Sequence, residues 1–562
     1  MKKLFALAMA LCLLLTAIPA LALDQHEPTF YEDQMKLLVD NLQTWYEEKY
    51  GEGNLVKPFD ETVTVHIVNY YTAALETNMA TWKEWWGETL ENNRYVDACK
   101  RALNIEIVYD WMKIDSDYDA QLRLEITANK IPDMFLVRKQ DDLMQLAEAE
   151  VIMPVDEVIE KYFTTHQKGV INSDGGKMLE KATYDGKAYG IPRSISDTDT
   201  FSYLWLRKDW MEKLNLEAPK TFEDLKNIMK AFKEANLDGA DKMYGLLMDK
   251  SLYYATRGIF AGFKAYPEFW VNDNETLVWG GTQETVKDAL RWLHELYVEG
   301  YIDPEFITQT NSDASAVILN GQAGILYGGH WQNGTFQKMW DKDHTVDSMS
   351  VELPSADGTP VHQYLNTNQR GWLAINANYE HPEVAGMIAA LCDFTFISGI
   401  TNGTWWFSND GAQNLEPFQA SVSSWDNYNT YLNLLERFKT GDDSVLVAKG
   451  ITYWSNLTTG TEASQWNWAH MFGDGPDTPM VVLGNAINDN RINYDAFLGA
   501  QSELMQDRWS TIKDEQLKMF IKIIIGEEDV DKGFASWLKT FDAMGGTQIT
   551  EEVNDWYQNS KK

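Results

Sequence analysis

The chain has 562 residues, of which 44% are hydrophobic and 13% aromatic. It carries 84 acidic against 48 basic residues, a formal net charge of -36. A chain of this length can build more than one core. Because so large an acidic excess repels nucleic-acid phosphates and anionic lipid surfaces, neither is expected as a partner.

The first 22 residues read as an export signal. Two lysines near the N-terminus precede an apolar run over residues 4–18, and Ala20 and Ala22 occupy the positions that a signal peptidase reads. The run is shorter than the roughly 20 residues that span a bilayer, which disfavours a membrane anchor. Cleavage near Ala22 predicts a secreted or cell-surface protein. Cys12 lies inside the apolar run, a position that does not favour a lipid anchor.

Two cysteines remain after that cleavage, Cys99 and Cys392. Their separation gives neither the spacing of zinc ligands nor a local disulfide framework. Buried free thiols are therefore favoured over a disulfide.

The N-terminal part alternates helices and strands. An acidic amphipathic helix is predicted over 33–50, ahead of strands near 63–67 and 105–109, where apolar and polar residues alternate. A helix over 117–128 leads to a strand over 134–137. Such alternation predicts an α/β fold with a parallel sheet.

Turn and capping signals continue this pattern. Asp185 and Gly186 predict a tight turn between two short strands. Thr221 and Asp224 predict a capping box at the start of an amphipathic helix, and Gly300 predicts the end of a later one.

Several tryptophans lie among Gly, Asn, Ser and Thr, a composition typical of loops. They are Trp331, Trp405, Trp406, Trp466 and Trp468. Aromatic faces in loops, beside amides and hydroxyls, suit the apolar faces and hydroxyl edges of a sugar ring.

Ordered motifs carry a family resemblance. Tyr-Asp-Gly-Lys-Ala-Tyr-Gly-Ile-Pro over 184–192 and Leu-Trp-Leu-Arg-Lys-Asp-Trp over 204–210 resemble the central segment of the family 1 extracellular solute-binding proteins. The Pro-Asp turn near 132, Asn-Gly-Gln-Ala-Gly-Ile over 320–325 and the segment 296–304 also resemble that family, especially its alginate-oligosaccharide-binding branch. The resemblance covers roughly residues 60 to 556. It implies capture of a sugar for a bacterial ABC importer.

The resemblance implies a type II periplasmic-binding-protein-like fold with two lobes and a hinge. The predicted crossings lie near 192–199, 307–312 and 370–375. The predicted organisation is a signal peptide over 1–22, an N-terminal helical extension over 23–58, lobe one over 59–195 and 312–372, and lobe two over 196–311 and 373–562.

The family's cleft residues can be carried over to this chain position by position. They imply ligand contacts from Tyr70, Tyr71, Arg193, Asp197, Trp331, Arg370, Trp405 and Trp406. A planar guanidinium suits vicinal hydroxyls or a carboxylate, although each arginine could instead form a structural ion pair. For each tryptophan the alternative is burial in a core.

One loop resembles the family's EF-hand-like calcium site. Oxygen ligands could come from Glu234, Asn236, Asp238 and the carbonyl of Ala240. Relatives place further carboxylates where this chain has Lys242 and Met243. Two interpretations stay open, a structural calcium and a plain helix-terminating turn. No other cofactor is expected.

The sequence has no Gly-x-Ser-x-Gly elbow, His-Glu-x-x-His helix or P-loop. Scattered carboxylates do not reveal the defined separation that glycoside hydrolysis needs. The favoured function is therefore capture of a neutral oligosaccharide between two lobes by a monomeric, non-enzymatic protein that serves ABC permease subunits. A scavenger or adhesin without a permease is the alternative, and a glycoside-active enzyme ranks below both.

Overall fold

The computed structural model describes residues 28–367, 369–407, 415–418 and 422–561. The predicted signal peptide and Cys12 lie outside these ranges. The helices are α1 Pro28–Tyr50, α2 Ala73–Trp86, α3 Arg94–Ala98, α4 Asp115–Thr127, α5 Gln140–Glu148, α6 Asp156–Tyr162, α7 Thr165–Ile171, α8 Lys177–Glu180, α9 Lys208–Lys213, α10 Phe222–Ala235, α11 Tyr253–Gly262, α12 Thr285–Val298, α13 Asn311–Ala314, α14 Ala316–Leu319, α15 Asn333–Trp340, α16 Glu383–Ile397, α17 Gly403–Phe407, α18 Asp426–Thr440, α19 Ala448–Thr458, α20 Glu462–Phe472, α21 Pro479–Asn488, α22 Glu503–Ile524, α23 Val530–Ala543 and α24 Gly546–Ser560.

The strands are β1 Val63–Tyr71, β2 Ile105–Ile114, β3 Met134–Val137, β4 Thr183–Tyr184, β5 Lys187–Ala188, β6 Ile191–Ser194, β7 Tyr203–Arg207, β8 Trp270–Asp273, β9 Thr276–Trp279, β10 Ile325–Gly328, β11 Ser348–Val351, β12 Gln363–Leu365, β13 Gln369–Ile375 and β14 Ile492–Tyr494. None of the helices described is both long and apolar enough to cross a membrane.

The chain divides into two compact units. Unit 1 comprises residues 1–136, 157–167 and 375–420, and unit 2 comprises 137–156, 168–374 and 421–562. The predicted lobe boundaries and hinge crossings stay predictions. One difference is that β10, predicted for lobe one, pairs with β7, predicted for lobe two, and both strands lie in unit 2.

Unit 1 is built on parallel strands. β1 runs parallel to β2 with Val63 opposite Ile105, and Ile67 lies opposite Met134 of β3. Buried Leu38 of α1 faces this unit's core, as the helical spacing predicted. Parallel pairing follows the predicted alternation, because a parallel crossover needs an intervening helix.

Cys99 and Cys392, the two cysteines that the structure describes, lie in unit 1, are buried and form no disulfide, which confirms the prediction. Burial raises the pKa of the Cys99 thiol well above its ordinary range.

Unit 2 contains an antiparallel sheet with β7 between β10 and β11. Leu206 lies opposite Ile325, and Arg207 lies opposite Ser348. β6 and β13 pair antiparallel, β12 and β14 pair parallel, and β8 with β9 forms a hairpin. Apolar side chains of β7, β9 and β10 are buried together with those of the surrounding helices in two hydrophobic clusters.

The predicted local signals of unit 2 are confirmed. Asp185 and Gly186 have φ angles of 47° and 75° in the turn that joins β4 to β5. The Thr221 and Asp224 side chains form both hydrogen bonds of the capping box at the start of α10. Gly300, just beyond α12, has φ of 71°.

Candidate functional site

A short 3-10 helix, Asp197–Thr200, follows β6 in unit 2 and positions two carboxylates. Asp197 is buried, and burial together with the Asp197 carboxylate raises the pKa of Tyr494. Burial raises the pKa of Asp199 to about 6, against the opposing effects of Lys449 and a hydrogen bond from Asn427. Asp199 therefore titrates in a range where an ordinary aspartate stays ionised.

Asp199 belongs to a polar network of four further residues. Asn427 Nδ2 donates to Asp199 Oδ1, and Tyr453 Oη donates to Asn427 Oδ1 at 3.1 Å. Lys449 Nζ forms an ion pair with Asp426. Although burial alone would lower it, the carboxylates raise the pKa of Lys449 above its ordinary value. Charge-assisted hydrogen-bonding groups thus gather at one place in unit 2.

Aromatic rings continue this network toward the surface, and we call His330, Trp331, Tyr453, Trp468 and Phe472 the aromatic cluster. Ring centroids lie 4.3 Å apart between Tyr453 and Trp468, 4.6 Å between Tyr453 and Phe472, and 5.4 Å between Phe472 and His330. His330 and Trp331 are 5.1 Å apart, edge to face. Rings are therefore continuous from the polar network to Trp331.

Trp331 presents an aromatic surface to solvent, with 44% of the residue exposed. Its ring lies over Gly329, where an added Cβ would come within 2.5 Å of the ring, so a larger residue at position 329 would displace the ring from this position. Trp205 Nε1 donates to the Gly329 carbonyl at 3.2 Å and holds that backbone in place. The exposed ring is thus supported by a fixed backbone.

His330 is buried beside this ring and stays neutral. Burial and the nearby Lys449 ammonium lower the pKa of His330 to about 3. Its Nδ1 atom has no hydrogen-bond partner among the described residues. A neutral imidazole nitrogen can accept or donate one hydrogen bond, depending on the tautomer.

The other predicted residues of unit 2 lie on strands. Arg193 is buried on β6, and Arg370 is half-buried on β13. These strands pair antiparallel, with Trp372 opposite Pro192. Ligand contact by either arginine stays a prediction.

In unit 1, the predicted residues Tyr70 and Tyr71 end β1. Tyr70 is buried and packs edge-on against Tyr118 at 5.5 Å, whereas Tyr71 is half-buried. Ligand contact by either tyrosine stays a prediction.

The loop predicted for Trp405 and Trp406 is wrong. Both lie in α17 and are buried. The helix begins there because Asn402 caps it: its Oδ1 accepts from the Trp405 N–H at 3.0 Å. Trp406 packs on Tyr95 at 5.2 Å, and the Arg94 guanidinium lies 4.1 Å from the Trp405 ring. Neither indole is a surface onto which a sugar can stack.

Trp466 and Trp468 were also predicted in a loop, and this too is wrong. Both lie in α20, whose N-cap is Thr461. Polar residues near a tryptophan can therefore mark a helix cap as readily as a loop. Trp466 stacks on Trp340 at 5.6 Å, and Trp468 joins the aromatic cluster.

The predicted calcium ligands do not fit a calcium ion. Asn236 is the left-handed C-cap of α10, and its side chain hydrogen-bonds both the N–H and the carbonyl of Ala240 at 2.9 Å. Glu234 is exposed and lies 3.9 Å from Lys230. No group of three or more His, Cys, Asp or Glu in the described ranges is placed to hold a metal. The helix-terminating turn is the interpretation that the structure supports.

Asp238, the remaining carboxylate of this set, is paired with Arg207. Arg207 Nη1 donates to Asp238 Oδ2 at 2.8 Å. Its Nε and Nη2 donate to the two carboxylate oxygens of Asp209 at 2.7 and 2.8 Å. Trp210 Nε1 also donates to Asp238 Oδ1 at 3.2 Å. A guanidinium from β7 thus supplies the positive charge at this turn.

We expect the melting temperature to be the same in millimolar calcium and in excess chelator, because Arg207 already neutralises Asp238. Arg207→Met should destabilise the fold by about 3–5 kcal/mol, since buried Asp209 would lose its two guanidinium hydrogen bonds and keep only the longer contact to Lys213. Lys213→Met is the matched control, because Lys213 also contacts Asp209, at 3.6 Å, but is largely exposed. A rise of several degrees in melting temperature with calcium would contradict this expectation.

Six residues of the polar network and aromatic cluster were missed in the sequence: Asp199, Asp426, Asn427, Lys449, Tyr453 and Phe472. They come from segments up to 273 positions apart, and no local pattern joins them. The predicted residues nearest to them in the sequence were Asp197, two positions before Asp199, and Trp468, four positions before Phe472.

Comparison with known proteins identifies the fold. The chain resembles the solved alginate-binding protein AlgQ2, determined without calcium ion, with a TM-score of 0.57 and 16% identity over 90% of this chain and 99% of that one. This is the α/β fold of the two-lobed solute-binding proteins, which confirms the predicted fold class. The sequence model of a protein family described as bacterial extracellular solute-binding protein matches residues 94–390 of this chain. The chain belongs to this family.

The chain is also similar in sequence to two curated proteins whose names state that they bind or transport sugars. The polygalacturonan/rhamnogalacturonan-binding protein YtcQ of Bacillus subtilis is 24% identical over 46% of this chain and 51% of its own length. The fructooligosaccharide ABC transporter substrate-binding protein FusA of Streptococcus pneumoniae is 27% identical over 42% of this chain and 45% of its own. The matches thus span about half the length of these relatives.

Proposed function

We propose that this protein captures a neutral oligosaccharide outside the cell and delivers it to the permease subunits of an ABC importer. The observation that carries the proposal is the exposed Trp331 ring, continuous with a hydrogen-bonding network in the same unit. An aromatic face stacks on the apolar face of a sugar, while amides, carboxylates and hydroxyls bind its hydroxyl groups.

Charge favours a neutral sugar. The network places two carboxylates, Asp199 and Asp426, beside one ammonium, Lys449, and the neighbouring His330 is neutral. Because Lys449 is already paired with Asp426, the carboxylate of a uronic acid would be repelled by the carboxylates of this network. The relatives' names include both acidic and neutral sugars, so the choice of a neutral sugar here rests on the charge of the polar network alone.

Delivery to a permease follows from the family and from FusA, whose name assigns it to an ABC transporter. Export through the predicted signal peptide would place the protein where such capture occurs. These roles and the ligand contacts of Tyr70, Tyr71, Arg193, Asp197 and Arg370 belong to the proposal.

The test is a thermal-shift screen followed by calorimetry. Fructooligosaccharides and maltodextrins are compared with oligogalacturonides and alginate oligosaccharides. A neutral sugar at 100 times its Kd should stabilise the protein by about 2.7 kcal/mol, because it binds only the folded state. Tighter binding of the acidic sugars would refute the choice of a neutral ligand, and stabilisation by peptides alone would refute the sugar.

A further inference from the structure

Unit 2 also contains a cavity of about 550 Å³. We call it the tryptophan cavity because Trp270, Trp279 and Trp509 line it, with Phe497 and Tyr253 beside them. No residue of the aromatic cluster lines it. Its volume falls within the range of about 300–1,000 Å³ typical of small-molecule sites, enough for one or two sugar rings.

The aromatic wall is rigid. Trp270 stacks on Trp509 with 5.3 Å between centroids, and Trp279 meets Trp509 edge-on at 4.7 Å. Gln516 fixes Trp279 by accepting its Nε1 proton at 2.7 Å and donates to the Pro267 carbonyl at 2.9 Å. Packing and hydrogen bonds therefore hold the wall in place without a ligand.

One donor on this wall is unused. Trp270 is buried, yet its Nε1–H has no hydrogen-bond partner among the described residues. A buried indole N–H normally finds a partner, and leaving it unsatisfied costs about 1–3 kcal/mol. The neighbouring Trp279 indole, by contrast, is satisfied. Because Trp270 lines the cavity, a ligand oxygen that reaches this donor would satisfy it.

An acceptor lies beside that donor. Asp495 Oδ1 accepts the backbone N–H groups of Trp270 and Phe497, each at 3.1 Å. Both backbone bonds fall on Oδ1, which leaves Oδ2 to a ligand. Burial raises the pKa of Asp495 to about 6, with Lys181 among the groups that oppose the shift. Neutral pH lies above this value, so the carboxylate is largely ionised there and can accept a hydrogen bond from a ligand hydroxyl.

The lining charges favour a neutral ligand. Glu268, Asp495 and Asp514 face the cavity together with Lys181 and Lys513. Glu268 is paired with Arg257 at 2.8 Å, and Lys181 Nζ donates to Thr367 Oγ1 at 2.8 Å. Three carboxylates against two lysines give an anion no net attraction.

We propose that the tryptophan cavity is a second binding site, which takes a neutral hydroxylated ligand the size of a mono- or disaccharide. The tryptophans pack against the ligand, Trp270 Nε1 donates to one of its oxygens, and Asp495 Oδ2 accepts from one of its hydroxyls. This site shares no residue with the Trp331 surface and does not depend on the function proposed for it.

Calorimetry of the full mature chain tests the proposal with glucose, galactose, fructose, maltose and sucrose as probes. Trp270→Phe removes the N–H and keeps an aromatic ring on Trp509. It should weaken the best of these probes about 3- to 10-fold, the effect of one lost hydrogen bond. Trp331→Ala is the matched control and should leave the binding of that probe unchanged.

Asp495→Asn is the second variant, needed if Trp270→Phe lowers the melting temperature of the unliganded protein. It should weaken the same probe while oligosaccharide binding at Trp331 persists. The proposal is overturned if none of the probes binds, or if both variants leave every affinity unchanged. It is also overturned if Trp331→Ala alone abolishes binding of the probe. In that last case the function proposed for the Trp331 surface would stand.

Discussion

Replacing Trp331 by alanine should weaken binding of the captured oligosaccharide by about 2 kcal/mol, or roughly 30-fold in Kd, while the unliganded protein melts as before. A tryptophan that contacts a ligand commonly contributes this much. The ring is 44% exposed, so its loss leaves no cavity in the core. Surface substitutions of that kind usually change stability by less than about 0.5 kcal/mol. Calorimetry and thermal unfolding measure the two effects separately.

Leu432 offers a matched control. It lies on α18, is also 44% exposed and belongs to neither the aromatic cluster nor the polar network. Leu432→Ala removes exposed apolar surface of the same fractional exposure and should leave the affinity unchanged. Equal weakening by the two variants, or a Trp331 variant that binds like the wild type, would show that Trp331 does not contact the sugar.

Trp406→Ala should have the opposite profile, a loss of stability of about 3–5 kcal/mol. Trp406 is fully buried, and its ring packs edge-on against Tyr95 at 5.2 Å. Removing the indole would leave a cavity inside unit 1. It would also remove the ring packing that supports the hydrogen bond from the Tyr95 hydroxyl to the Trp406 carbonyl, at 2.6 Å. Chemical denaturation of the unliganded protein measures the loss.

Trp406→Phe is the conservative counterpart and should recover much of that stability, because it retains a ring against Tyr95. The fraction that stays folded should bind sugar with wild-type affinity. Unchanged stability together with lost binding would return Trp406 to the ligand site and would contradict its assignment to the core.

The local elements were predictable because their signals are local. The capping box at Thr221, the turn at Asp185 and the alternating residues of β1 each depend on neighbouring residues that fix a backbone conformation. The same reasoning failed at Asn402, whose amide caps α17, because polar residues serve caps and loops alike.

The candidate site was only partly predictable for a different reason. Trp331 has a local signature, since glycines beside it allow the ring to lie on the backbone. Asp199, Asn427 and Lys449 come together only in the tertiary fold. Buried polar contacts between distant segments have no characteristic residue spacing that could be recognised in the sequence. The pairing of Asp238 with Arg207 was hidden likewise, because the two residues lie 31 positions apart on different elements.

The way unit 1 is assembled has a consequence for the order of folding. Helix α1 lies in the first sequence segment of unit 1 and is hydrogen-bonded to α16, which lies in the last: Tyr46 Oη donates to the Ala390 carbonyl at 3.0 Å across 344 positions. In a chain that emerges N-terminus first, the apolar face of α1 would therefore stay exposed to solvent until α16 has also emerged. Closing so long a loop is slow, and exposed apolar surface invites aggregation in the meantime. Unit 2 has the same requirement, because its last segment, residues 421–562, supplies buried core residues such as Trp509 and Phe534.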